Sequence, residues 1–156
     1  MVLGEFAYLG IDVKTNDFVM VLRRKDNNRQ LPIWIGNAEA FSIALALSGI
    51  KPPRPLTHDL IVDILTALGA NLSKVVITGI RDNTYYALLH IDRGEAETYI
   101  VDARPSDSIA LALRTKCQII ISDDMDTYDL EIPETQVEKE LSQRIRKIEP
   151  QEMIGY

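Results

Sequence analysis

Ser42-Ile43-Ala44-Leu45-Ala46-Leu47 recurs unchanged as Ser108-Ile109-Ala110-Leu111-Ala112-Leu113, 66 positions further along the chain. Held at that offset without gaps, Ile11 falls on Ile77, Leu22 on Leu88 and Asp26 on Asp92. The polar pair Asn16-Asp17 falls on Asp82-Asn83, and Ile33–Ile35 falls on Tyr99–Val101. Identity outside the hexapeptide is sparse, so the agreement of elements carries the repeat.

Working outward, β-branched and aromatic residues predict strands over Leu9–Lys14, Phe18–Leu22 and Leu31–Ile35, with polar turns between them. Asn37 is placed to cap a helix from about Ala38 to Ser48, and Gly49 to end it. The second half reads alike: strands Lys74–Ile80, Tyr85–Ile91 and Thr98–Val101, then a helix over Asp107–Thr115. Between the halves, Lys51–Pro55 (KPPRP) is a stiff extended connector. Beyond it a helix over Thr57–Leu68 carries Leu60, Ile61, Ile64, Leu65 and Leu68 as its apolar face. A short strand, Gln118–Ser122, follows the second repeat. The expected fold is α+β: a mainly antiparallel sheet with packed helices, built as two tandem β-β-β-α units joined by a helix. The repeated helices are apolar nearly all round, so one should lie between the sheet and the linking helix, and the other should meet a second copy of the chain. A homo-oligomer, most simply a dimer, is expected.

The chain has 156 residues, enough for one hydrophobic core. We expect one domain over residues 1–132, then an amphipathic helix over Pro133–Ile148 and a tail to residue 156. That helix carries a narrow stripe of Val137, Leu141, Ile145 and Ile148, suited to docking on a surface. A single cysteine, Cys117, excludes an internal disulfide framework. No signal peptide and no membrane-length apolar run is visible, so a cytoplasmic protein is expected. Seventeen Lys and Arg against 23 Asp and Glu leave a net charge of −6. A passive nucleic-acid binder gains affinity by releasing phosphate counterions and needs a basic face, which this chain lacks overall.

Polar residues gather where three helices should begin: Asn37 and Glu39; Arg54, Thr57, His58 and Asp59; and Asp102, Arg104, Ser106 and Asp107. Unpaired N–H groups and the positive dipole end make a helix start attractive to phosphate, and an arginine beside it adds a bidentate donor. On this reading Arg54, Thr57, Arg104 and Ser106 hold phosphate. His58 is the natural proton carrier, and Glu39, Asp59 and Asp107 serve water or a metal. The plainer reading gives Thr57 and Ser106 to capping, and Asp59 and Asp107 to the helix dipole. If the helix starts converge, Glu39, Asp59, Asp102 or Asp107 could hold Mg²⁺ or Mn²⁺. The run Asp123, Asp124, Asp126 lacks the glycine and glutamate of a calcium loop and reads as a solvated turn. There is no nucleophile elbow, P-loop or dinucleotide fingerprint.

Taken in order, the strings LPIWIGNAEAFSIALAL (31–47), RPLTHDL (54–60), LGA (68–70), Asp82–Tyr86 and DARPSDSIALALR (102–114) resemble the bifunctional nuclease domain family. The resemblance spans roughly residues 5–125. Glu39, Arg54, Thr57, His58, Asp59, Asp102, Arg104, Ser106 and Asp107 fall on the family's polar motif positions. The resemblance implies an α+β fold and a nuclease acting on both DNA and RNA. The competing reading is a non-catalytic, oligomeric module that uses the same helix starts to bind an anion or nucleotide. The single helix expected over 133–148 also differs from the helical hairpin that many bacterial members carry at that end.

Overall fold

A computed structural model describes residues 1–154. A meander of β1 (Val2–Asp12), β2 (Phe18–Arg24) and β3 (Gln30–Ile35) leads into α1 (Asn37–Ser48). After α2 (Thr57–Ala67) the pattern repeats as β4 (Ala70–Arg81), β5 (Thr84–Arg93), β6 (Glu97–Ala103) and α3 (Pro105–Thr115). The chain continues as β7 (Gln118–Ile121), α4 (Gln136–Arg144), β8 (Ile145–Ile148) and α5 (Pro150–Ile154).

All eight strands among the described residues belong to one sheet, ordered β3-β2-β1-β7-β4-β5-β6, with β8 also on β1. Read outward from β7, each half places its first strand inside and its third at the edge. The two β-β-β-α units therefore share one strand order, as the sequence repeat requires. Every pairing is antiparallel except that of β4 with β7. At the β4–β5 hairpin Asp82 and Asn83 both adopt positive φ (50° and 60°), the pattern of a two-residue type I′ turn that asparagine and aspartate tolerate.

β1 is the hub. Its first residues, Val2–Gly4, pair with β7, and its last, Leu9–Asp12, pair with β8, while β2 runs along its other edge. Glycines stand at both contacts. A Cβ on Gly4 would lie 2.5 Å from the Ile121 side chain, and one on Gly10 would lie 2.8 Å from that of Ile145.

Helices α1, α2 and α3 lie on one face, over a core that includes Leu9, Met20, Leu22, Ile43, Ile77, Ile109, Leu111 and Ile121. Buried Ile109–Ala112 place α3 innermost, in contact with β4, β5, α1 and α2, as its apolar sequence demands. On the opposite face of the first half, Val19 and Val21 pack with Tyr128, Leu130, Leu141 and Ile145 from the C-terminal part of the chain.

The structure departs from the sequence reading at β1, which begins at Val2 and not Leu9, and at two helices. Helix α2 docks through Ile61, Val62 and Leu65, so Leu60, Ile64 and Leu68 face solvent instead of the core. The helix expected over Pro133–Ile148 ends at Arg144, and Ile145 and Ile148 are buried strand residues in the sheet. Ladder bonds to Leu9–Asp12 replace the last turn of the helix. The junction is fixed by Asp12, which is fully buried and accepts from Arg144 Nη2 (2.5 Å), Trp34 Nε1 (3.0 Å) and the Lys14 N–H (2.9 Å). The expected tail beyond residue 154 lies outside the described residues.

Candidate functional site

The starts of α1, α2 and α3 meet. Helix α1 begins after extended Gly36, α2 after extended Leu56, and α3 after extended Arg104, with Pro105 in its first turn. Asn37 and Thr57, expected as caps, are instead the first residues of their helices, and Ser106 lies one residue inside α3. Asp59 supplies the capping role at α2 by accepting the Leu56 N–H at 3.1 Å.

His58, only 8% exposed, bridges the other two helices. Its Nε2 lies 2.9 Å from Asp107 Oδ1 on α3, and its Nδ1 lies 2.6 Å from Ser42 Oγ on α1. A carboxylate only accepts, so Nε2 carries a proton, and in the neutral ring the Ser42 hydroxyl donates to Nδ1. Both ring nitrogens are therefore engaged within the protein.

The chain of contacts continues outward. Arg104 Nε donates to Asp107 Oδ2 at 2.8 Å, and its Nη2 lies 3.0 Å from Glu39 Oε1 on α1. The Arg104 side chain is nonetheless 65% exposed, whereas Glu39 and Asp107 are largely sheltered beneath it. Burial pushes the Asp107 carboxyl up, but hydrogen bonds from Arg104 and His58 outweigh this and hold it below the ordinary carboxylate value. The hydrogen bond to Asp107 raises the Arg104 guanidinium in turn.

Asp59 belongs to a neighbouring arrangement. It pairs with Arg114 at 2.9 Å and lines a separate cleft of about 450 Å³ with Asp63, Lys116 and the prolines of the 51–55 connector. Burial raises the Asp59 carboxyl, but the Arg114 hydrogen bond and the Leu56 N–H bring it below its usual value. Arg114 also donates to the carbonyls of Ala110 (2.9 Å) and Ser42 (3.3 Å), so it braces α1, α2 and α3 from beneath.

Of the residues singled out in the sequence, Glu39, His58, Arg104 and Asp107 thus form one cluster. Arg54 is exposed on the connector, with no ion pair or side-chain hydrogen bond among the described residues, and Thr57 is exposed at the start of α2. Asp102 is exposed at the end of β6. Ser106 is buried and does not join the solvent-facing set. Ser42 and Arg114 were missed, although spacing offered signals for both. Ser42 stands three residues after Glu39, and Arg114 seven after Asp107, which places each on the same helix face as a residue already singled out. Among the described residues no three His, Cys, Asp or Glu side chains gather as a cation site would need. Holding Mg²⁺ or Mn²⁺ here would require Arg104 to release Asp107 and Glu39.

Fold and cluster define a class: an α+β domain of two equivalent β-β-β-α units, with a carboxylate–arginine–histidine chain where its helices begin. The chain belongs to the bifunctional nuclease domain family, whose profile matches residues 20–129. An uncharacterized protein of Mycobacterium tuberculosis is 46% identical over 123 residues, covering 78% of this chain and 73% of that one. Bifunctional nuclease 1 of Oryza sativa subsp. japonica is 29% identical over 106 residues, covering 66% of this chain. Bifunctional nuclease 2 of Arabidopsis thaliana is 24% identical over 106 residues. The matched region spans 32% of each of these plant proteins. No helix among the described residues is long and apolar enough to cross a membrane.

Proposed function

We propose that the protein hydrolyses phosphodiester bonds in DNA and RNA with little sequence preference, and that phosphate binds at Arg104. The observation that carries this is the state of Arg104: a guanidinium aimed by two carboxylates, beside a helix N-terminus, yet largely open to solvent. An incoming phosphate competes with Glu39 and Asp107 for the same donors. A Glu39 carboxylate freed in this way can accept the proton of an attacking water, while Asp107 stays held by His58. Arg54, exposed on the connector, offers a second phosphate contact. The names of the plant relatives support the chemistry.

One observation favours the alternative, a non-catalytic anion-binding module. His58 is buried with both nitrogens satisfied, so a proton can pass between His58 and a substrate only through Ser42 or Asp107.

The test is degradation of labelled single-stranded DNA and RNA by rigorously purified protein, in chelator and with added Mg²⁺ or Mn²⁺. Arg104→Ala should lower the rate at least ~10²-fold, as loss of a charge-stabilising donor does, with the fold retained and only a modest fall in melting temperature. Activity that survives equally in Arg104→Ala and Asp107→Ala belongs to a contaminant. Oligonucleotide binding that is lost in Arg104→Ala, with no cleavage by the wild type, establishes the binding module.

A further inference from the structure

The two halves of the sheet are equivalent in topology but end differently. At the β3 edge, Gln30 forms a bridge with Tyr128, and the strand contains Pro32, so further pairing is blocked. The β6 edge has no such protection. Glu97–Ala103 pairs with β5 in unbroken register on one side and with no strand among the described residues on the other. It contains no proline, lysine or bulge, the usual devices that blunt an edge. Its centre is apolar on both faces of the sheet, with Tyr99, Ile100 and Val101 exposed by 50, 58 and 43%.

We propose that β6 pairs antiparallel with β6 of a second copy of the chain, making one continuous sheet across a two-fold axis. The sequence of the strand selects this occupant. Centred on Ile100, the pairing sets Tyr99 opposite Val101, an aromatic–β-branched pair of the kind that stabilises sheets. It sets Thr98 opposite Asp102 and Glu97 opposite Ala103, so no carboxylate faces another. Within the protomer Thr98 already donates to an aspartate across a strand pair, Asp92, at 3.1 Å. The seam of seven residues is about 23 Å long.

This surface differs from the one the repeated helices suggested. Helix α3 lies between the sheet and α2, α1 packs against α3 and α5, and Ile145 and Ile148 are consumed by the sheet. The two-fold of an antiparallel ladder stands perpendicular to the sheet. Both helical faces, with their Arg104 clusters, therefore open on the same side of the dimer. Arg104 lies four residues past the centre of the seam, which separates the two copies by about 26 Å along the strand direction.

Sedimentation velocity over about 1–100 µM, the range in which a modest interface reports, tests the proposal without reference to nuclease activity. The wild type should reach twice the 17.6 kDa chain mass. Ile100→Lys should weaken dimerisation at least ~10²-fold by placing like charges opposite each other at the axis of the interface, and at dilutions where the wild type is monomeric the two should melt alike. Ile64→Lys, on the exposed stripe of α2, should leave the dimer intact. Amides of residues 97–103 should gain hydrogen-exchange protection with concentration in the wild type and not in Ile100→Lys. A wild type that stays monomeric at the top of the range overturns the proposal. So does a dimer that Ile64→Lys dissociates, or one that Ile100→Lys leaves whole.

Discussion

His58 has no spare hydrogen-bonding capacity, and that decides what its neighbours are worth. Removing the Ser42 hydroxyl leaves Nδ1 buried without a partner, a penalty of about 1–3 kcal/mol. Ser42→Ala should lower unfolding free energy by that amount in urea titrations. The double variant Ser42→Ala/His58→Phe should cost less than the sum of the single changes, because the orphaned group is gone. His58→Gln separates a structural role from a chemical one. A lowered melting temperature with the specific activity of the folded fraction preserved makes His58 a brace between helices. A loss of at least ~10²-fold in rate, with the fold intact, makes it the proton reservoir of the cluster. The meeting of Glu39, His58, Arg104 and Asp107 was legible in outline, because three helix starts in a repeated architecture carried the same polar types. Their division was not. Asp59 adjoins His58 in sequence but points about 100° away round the helix, and it is Arg114, far along the chain, that claims it.

At the scale of elements, β1 is paired on both edges at Gly4 and again at Leu9–Ile11, and its glycines are the condition for that. A methyl at Gly4 would press on Ile121, which is fully buried and has nowhere to move. Gly4→Ala should therefore destabilise by about 1–3 kcal/mol, the usual range for overpacking, while Gly79→Ala, with open space around it, meets no such contact. The start of α4 adds a pH signature. Backbone N–H groups of Asp129 (2.6 Å), Thr135 (3.1 Å) and Glu134 (3.3 Å) converge on Glu138 and lower it to about 2 from 4.5. A depressed carboxyl stabilises fully above its unfolded value and loses that contribution as pH falls through its folded one. The melting-temperature gap between wild type and Glu138→Gln should be constant above pH 4.5 and close on the way down to 2. Strand and helix types in the repeat were readable because turns, β-branched runs and Gly49 all agree on them. The fate of Ile145–Ile148 was not. Apolar residues three apart suit a helix face, and the partner that makes them a strand, Leu9–Asp12, lies at the other end of the chain. The stripe of α2 misled for a related reason. Leu60, Ile64 and Leu68 satisfy helical spacing as well as Ile61 and Leu65 do, and only the position of α3 decides which row is covered.

For the whole molecule, electrostatics would set the terms of the proposed encounter with a polyanion. A net charge of −6 repels nucleic acid at long range, and salt relieves that repulsion. The phosphate contacts proposed at Arg104 and Arg54 would act in the opposite sense, because each phosphate neutralised releases a counterion and salt weakens the gain. The two effects differ in how they respond to single substitutions. Counterion release on single strands contributes about −0.7 to the slope of log K against log salt for each phosphate contact, so two arginines give about −1.4. Relief of the global repulsion makes the observed slope shallower still. Fluorescence anisotropy of a labelled single-stranded oligonucleotide across a salt series measures this directly. The slope should lie between zero and about −1.4, and Arg104→Ala and Arg54→Ala should each shift it by about +0.7, whereas Ser106→Ala should leave it unchanged. A slope several-fold steeper, or one indifferent to both arginines, would place the phosphate footprint on another surface and remove the helix-start cluster from nucleic-acid binding.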